Sequence, residues 1–172
     1  MEVCMMCDRH YQSNKYRQLE VHSDHDYYLK RTIQLAYDAK LAGNGGFGAI
    51  LVNELGEIVL ETKNEVKTAD DCTAHAELLL VREASKRYNQ SELEKMRLYC
   101  NCEPCVMCMG AIIWAKIGHV IFGTTEREML DMAHAKVSLH IPSTTLVEAS
   151  AFKPTMIGPF EHLDELARIV FK

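Results

Sequence analysis

The sequence predicts an α/β layered fold. Three observations lead there. Strand-length apolar runs alternate along the chain with stretches of helical periodicity. The 172 residues fit one domain with a sizeable core. A hydrophobic content of 48% with 25% charged residues is ordinary for a globular protein, and neither an internal repeat nor a low-complexity segment interrupts the pattern.

Met1 to His22 is polar without clear periodicity and reads as an N-terminal extension, with the folded domain over 23–172. Ser23 and Asp26 resemble a capping box that opens a first helix. That helix carries Leu29, Ile33, Ala36, Tyr37 and Leu41 on one face and stops at Gly43. Ala49–Val52 and Glu57–Glu61 flank Asn53-Glu54-Leu55-Gly56 as a hairpin. The polar segment Asn64–Cys72 reads as a loop. Thr73 is placed to cap a helix over Ala74–Arg87, with Leu78, Leu79, Val81 and Ala84 as its buried side. Leu98–Cys102 is a third strand, and Pro104 suits the first turn of the next helix, where its missing N–H costs nothing. His119–Gly123 is a fourth strand. A helix over part of Glu126–Leu139 breaks before Pro142; Thr145–Glu148 is expected as a fifth strand and Pro159–Phe171 as a closing helix.

Composition narrows the function classes. No apolar run is long enough to span a bilayer, and the N-terminus lacks the apolar stretch of a secretory signal. Seven cysteines in such a chain read as thiols and metal ligands, which points to the cytoplasm. The net charge of −5, with only scattered basic residues and an acidic run Glu161–Leu166, makes a poor phosphate clamp. Nucleic acid is therefore disfavoured as a partner, although tRNA stays open.

The chemistry concentrates in His75-Ala76-Glu77 and Pro104-Cys105-Val106-Met107-Cys108. His-x-Glu alone is a weak signal, and Pro-Cys-x-x-Cys alone fits a redox pair or half of a structural zinc cluster. A redox pair would have no need of the His-Ala-Glu helix. A structural zinc cluster would want a fourth protein ligand and no glutamate. Together, each at a helix start, the two motifs supply three ligands for one zinc ion per chain: His75, Cys105 and Cys108. Three protein ligands leave a position open for water, whose pKa bound zinc lowers to about 7. Cysteines at i and i+3 of a first turn project to the same side, where the helix terminus favours thiolates. Glu77 is the proposed general acid/base, a role that needs burial to raise its pKa toward neutrality.

The paired motifs follow the signature of zinc nucleobase deaminases. The chain resembles the cytidine-deaminase-like superfamily, and more closely the branch holding bacterial guanine deaminases and tRNA adenosine deaminases. The resemblance runs from about Tyr28 to Gly123. It rests on Phe47-Gly48-Ala49-Ile50-Leu51-Val52, Asn64, Thr73-Ala74-His75-Ala76-Glu77 and Cys102-Glu103-Pro104-Cys105-Val106-Met107-Cys108-Met109-Gly110-Ala111. It implies a three-layer α/β/α fold with a five-stranded mixed sheet, assembled as a homodimer. It implies Asn64, the Ala76 backbone N–H and Glu103, which lies near the metal helix, as substrate contacts, with Phe47 and Trp114 against the substrate plane. Trp114 and Cys102 lean to the free-base side. The acidic residue that guanine deaminases use to read the base falls on Val137, with Asp131 nearby. Phe171 is the candidate for the aromatic that closes their site.

The reading that follows is a zinc-dependent hydrolytic deaminase of a free aminated nucleobase or related heterocycle, guanine or a similar purine, releasing ammonia. The alternatives are a tRNA-specific adenosine deaminase and a non-catalytic zinc-stabilised binding protein. Cys4, Cys7 and His10 read as chance ligands in the extension, Cys72 and Cys100 as small buried or half-buried residues, and His22, His25, His134, His140 and His162 as mostly surface groups.

Overall fold

The structure, a computed structural model, describes residues 14–133, 139 and 141–171. Its elements run α1 (Asn14–Leu41), β1 (Gly48–Val52), β2 (Ile58–Lys63), α2 (Val66–Ala69), α3 (Ala76–Arg87), α4 (Gln90–Leu93) and β3 (Arg97–Cys102). They continue with α5 (Val106–Ala115), β4 (His119–Thr124), α6 (Glu126–Ala133), α7 (Ser143–Ala149), β5 (Thr155–Ile157), a 3₁₀ turn (Glu161–Leu163) and α8 (Asp164–Phe171). The strands form one mixed sheet in the order β2-β1-β3-β4-β5. β1 pairs antiparallel with β2 and β3, while β3–β4 and β4–β5 are parallel.

Helices cover both faces, which is why the central strands read as unbroken apolar runs. Along β1, Ala49 and Leu51 enter a core with Leu80 of α3 and Ile112 of α5. Ile50 and Val52 point the other way, onto Tyr28 and Leu29 of α1. The same alternation separates Leu98 and Cys100 from Tyr99 on β3, and Val120 from Ile121 on β4. Each such fully buried Leu or Ile contributes roughly 1.5–3 kcal/mol. At the hairpin, Asn53 Oδ1 accepts from the N–H groups of Leu55 (3.0 Å) and Glu57 (2.9 Å), and Gly56 takes the positive φ of 81° that the turn requires.

Several local expectations give way to packing. α1 begins at Asn14 and passes through Ser23, so the capping signal there is not used. Residues 1–13, with Cys4, Cys7 and His10, lie outside the described residues, as do Val137, His134 and His140. The Asn64–Cys72 loop contains α2. Thr73 does not cap α3; its N–H and hydroxyl both bond Asp71 Oδ1, and His75 occupies the N-cap. Leu80 is fully buried, while Leu78 and Leu79 are only half-buried, because α3 lies against both the sheet and α5. Pro104 precedes the Cys105 N-cap and does not sit in the first turn of α5. Thr145–Glu148 is helical within α7, where contact with α5 overrides the strand preference of Thr, Leu and Val. The fifth strand is Thr155–Ile157. Cys72 is exposed, and His25 is buried with Nδ1 2.9 Å from the Tyr99 hydroxyl.

One buried side chain pins the start of β1. Asn101, 1% exposed, accepts from Gly48 N at 2.9 Å and donates to Gly46 O at 3.0 Å. An Asn101→Ala variant strands both backbone groups, each worth about 1–3 kcal/mol when buried without a partner. Urea unfolding should show a loss of roughly 2–4 kcal/mol, read as a lower midpoint at unchanged slope. A loss under about 0.5 kcal/mol would refute the pin.

Candidate metal centre and active site

α3 and α5 pack side by side with their N-termini together. His75 is the N-cap of α3, Cys105 the N-cap of α5, and Cys108 lies three residues further on. Both caps have extended backbone and neither side chain caps its own helix. The imidazole and the thiols face each other instead. His75 Nδ1 is 3.6 Å from Cys105 Sγ and 3.6 Å from Cys108 Sγ.

Those separations test the fit to zinc. With Zn–S of about 2.3 Å and Zn–N of about 2.0–2.1 Å, the N···S edge of a tetrahedron is roughly 3.6 Å. The three donors match that edge. Among the described residues no fourth ligand joins the group, so a bound zinc would keep one position open. The donor set and its spacing suit a catalytic zinc and not a closed structural one.

The electrostatics agree. The Cys105 thiol is held down to about 4, chiefly because Cys108 hydrogen-bonds to it, with His75 adding to the effect. Cys108, the donor in that bond and buried beside Glu77, is pushed up. His75 is raised, first by its bond to Cys105. Cys100 and Cys102 are raised well above the usual thiol range by burial and remain neutral neighbours.

Glu77 lies in the first turn of α3 and is 5% exposed. Its Oε2 is 3.7 Å from Cys108 Sγ, against the ligand cluster. Burial, with the negative charge of Cys105 adding to it, raises its carboxyl to about 7. A carboxyl poised there exchanges protons near neutral pH.

Of the expected substrate contacts, three gather beside this centre. Thr62 Oγ1 donates to Ala76 O at 2.7 Å, and Glu65 N to Ala74 O at 3.0 Å, so the end of β2 runs along the start of α3. Asn64, 4% exposed, therefore sits beside the His75 turn, and its N–H donates to Phe47 O at 2.9 Å. Its Oδ1 accepts from Val66 N at 3.2 Å, which fixes the amide and turns Nδ2 away from α2. Asn44, which the sequence reading passed over, holds α2 from the other side by accepting from Lys67 N (2.9 Å) and Thr68 N (3.0 Å). Phe47 is half-buried, with its ring 5.5 Å from that of Phe171. The contact is possible because Gly46 has no side chain; a Cβ there would lie 2.3 Å from Val170 O of α8.

Two expectations fare differently. Trp114 is 84% exposed near the end of α5. Six residues beyond Cys108, it is displaced by roughly 9 Å along the helix and by about 240° around it. The chain does not bring it to its own metal centre. Glu103 spends both carboxylate oxygens on backbone donors, Glu126 N at 3.2 Å and Ser143 N at 2.9 Å, and so is not aimed at the ligand cluster. A cleft of about 450 Å³ opens past the C-terminal ends of β3 and β4, lined by Glu103, Glu126, Arg127, Leu130, Asp131 and Pro142. Its lining does not include His75, Glu77 or the two cysteines; the chemistry, not the size of the cleft, locates the centre.

Comparison with known proteins agrees with this geometry. The cytidine and deoxycytidylate deaminase zinc-binding region matches residues 22–124. Guanine deaminase of Bacillus subtilis (strain 168) is 42% identical over 106 residues, covering 61% of this chain and 67% of that protein. The tRNA-specific adenosine deaminase of Aquifex aeolicus (strain VF5) is 40% identical over 103 residues, covering 60% and 68%. The X-ray structure of guanine deaminase from Bacillus subtilis superposes with a TM-score of 0.54 at 31% identity, covering 83% and 91% of the two chains. Since the family pattern extends from within α1 to the end of β4, over more than half of the sequence, this chain belongs to the cytidine and deoxycytidylate deaminase zinc-binding family.

Proposed function

We propose that this chain is a hydrolytic deaminase of a free aminated nucleobase, guanine or a similar purine, acting in the cytoplasm. The observation that carries the reaction is the buried Glu77 carboxyl against the three-ligand cluster. Zinc, when bound, acts as a Lewis acid and lowers the pKa of its water to about 7. His75, Cys105 and Cys108 hold it. Glu77 Oε2 would take one proton from the attacking water and pass it to the ring nitrogen, then take the second from the newly added hydroxyl as the carbonyl forms and deliver it to the amine, which leaves as ammonia. Asn64 Nδ2 and the Ala76 N–H orient the heterocycle; a first-turn N–H has no acceptor within its own helix. Phe47, backed by Phe171, offers an aromatic face to a flat ring.

The net charge of −5 and the aromatic pair support a free base. The tRNA reading draws on the 40% identity to the Aquifex aeolicus enzyme. Ammonia release from the zinc-loaded protein, measured over bases, nucleosides and tRNA, separates the two. Release from guanine or a related base is expected. Release from tRNA alone would overturn the free-base reading, and release from none would leave a zinc-stabilised binding protein.

Glu77→Gln should keep one zinc per chain while kcat falls by roughly 10²–10⁴-fold. Turnover within about threefold of the parent would remove Glu77 from the proton transfers.

We also propose a homodimer through the outer face of α5. Met107, Gly110, Ala111 and Trp114 recur there at helical spacing; the first three are half-buried and Trp114 is exposed. Small residues between two large apolar ones suit a second copy of the same helix. Sedimentation velocity should show a dimer for the parent chain and a monomer for Trp114→Glu. A parent that sediments as a monomer at micromolar concentration would refute the interface.

A further inference from the structure

We infer that Glu103 is a positioning residue that locks the metal-binding turn to the two helices walling the adjoining cleft. Its backbone continues the β3–β4 pairing, with Glu103 N donating to Thr124 O at 2.8 Å. Its carboxylate then bridges two chain segments remote from each other. Oε2 accepts from Glu126 N, the first residue of α6, and Oε1 accepts from Ser143 N, the first residue of α7.

Ser143 closes the ring. Only 1% exposed, it donates from Oγ to Pro104 O at 2.5 Å. Pro104 is the residue between Glu103 and the ligand Cys105. The segment Glu103-Pro104-Cys105 is thus held on one side by the sheet and on the other by α6 and α7. Proline removes one backbone freedom from this segment, and the Ser143 hydroxyl fixes the orientation of the peptide that leads into Cys105. The carboxylate that sets the cysteine is also the group from which both cleft walls start. A ligand pressing on those walls therefore meets the same bonds that hold Cys105.

The inference rests on the metal centre and is independent of which heterocycle is consumed. Outer partners of metal ligands typically cost 10–100-fold in metal affinity or activity when removed. Glu103→Gln keeps the shape but gives up one acceptor, setting an amide donor against a backbone donor. Ser143→Ala removes only the hydroxyl. A control, Glu128→Gln, weakens the N-terminus of α6, where Glu128 accepts from Thr125 N (3.0 Å) and Thr125 Oγ1 (2.7 Å), and leaves the Glu103 bonds in place.

Each variant is measured three ways: zinc affinity by competition with a chromophoric chelator, the d–d absorption of the cobalt-substituted protein, and thermal unfolding. Glu103→Gln should lower zinc affinity by roughly 10–100-fold and shift the cobalt spectrum. Ser143→Ala should move both in the same direction by a smaller factor. Glu128→Gln should lower the unfolding temperature with zinc affinity and spectrum unchanged. The inference is overturned if Glu103→Gln matches the parent in affinity and spectrum, or if Glu128→Gln shifts them as much. Should Glu103→Gln fail to fold, Ser143→Ala decides: parental affinity and spectrum there also overturn it.

Discussion

Two helix N-termini must meet at one point for this protein to work, and the rest of the structure is arranged around that requirement. Each terminus carries partial positive charge and unpaired N–H groups, so bringing two together is unfavourable unless something anionic lies between. Here it is the cysteine pair, with one thiol held down to about 4 by the other. The same field that would push α3 and α5 apart stabilises the ligand that a zinc ion needs. The N···S separations of 3.6 Å are those that a tetrahedral zinc site requires.

The sheet makes that meeting possible. β3 runs directly into the turn that starts α5, and β1 lies antiparallel beside β3, with Asn101 fastening the two. α3 packs on β1 and β2, so its start falls beside the start of α5. Burial on both faces of β1 leaves little room for register error, because a one-residue slip would turn Ala49 and Leu51 onto the α1 side. The cost of this rigidity is a buried acid. Burial first, and then the neighbouring thiolate, disfavours the ionised form of Glu77 and raises its carboxyl to about 7. A dication held by His75, Cys105 and Cys108 would offset that repulsion.

Much of this was legible in the sequence because it is local. His75, Cys105 and Cys108 were readable from spacing, since ligands on first turns need only the helix start to be found. The strands β1, β3 and β4 were readable because strands buried on both faces carry apolar runs, and β2 because a turn signal pairs it with β1 as a hairpin. What stayed hidden depends on contacts between distant segments. Thr145–Glu148 has the composition of a strand and becomes helix only against α5. Glu103 stood next to a ligand and invited a role at the substrate, but its oxygens are claimed by Glu126 and Ser143, 23 and 40 residues away. Trp114 was expected at the substrate from the family resemblance, yet it is exposed, and a helix turns a residue six positions from Cys108 away from it.

That division bears on how one scaffold serves several substrates. The family pattern ends at Thr124, whereas most of the cleft lining, Glu126, Arg127, Leu130, Asp131 and Pro142, follows it. The three donors that could hold a metal and the buried Glu77 carboxyl beside them all lie before that point. Telling one aminated ring from another needs polar groups matched to its edges, because aromatic faces accept any base and discriminate poorly. On the proposed reading Phe47 would be a weak selector, and Asn64, whose Oδ1 accepts from Val66 N, would offer its amide N–H groups. Polar groups of that kind, the carboxylates of Glu126 and Asp131 and the guanidinium of Arg127, line the cleft beside Glu103, whose own carboxylate is held by the starts of α6 and α7.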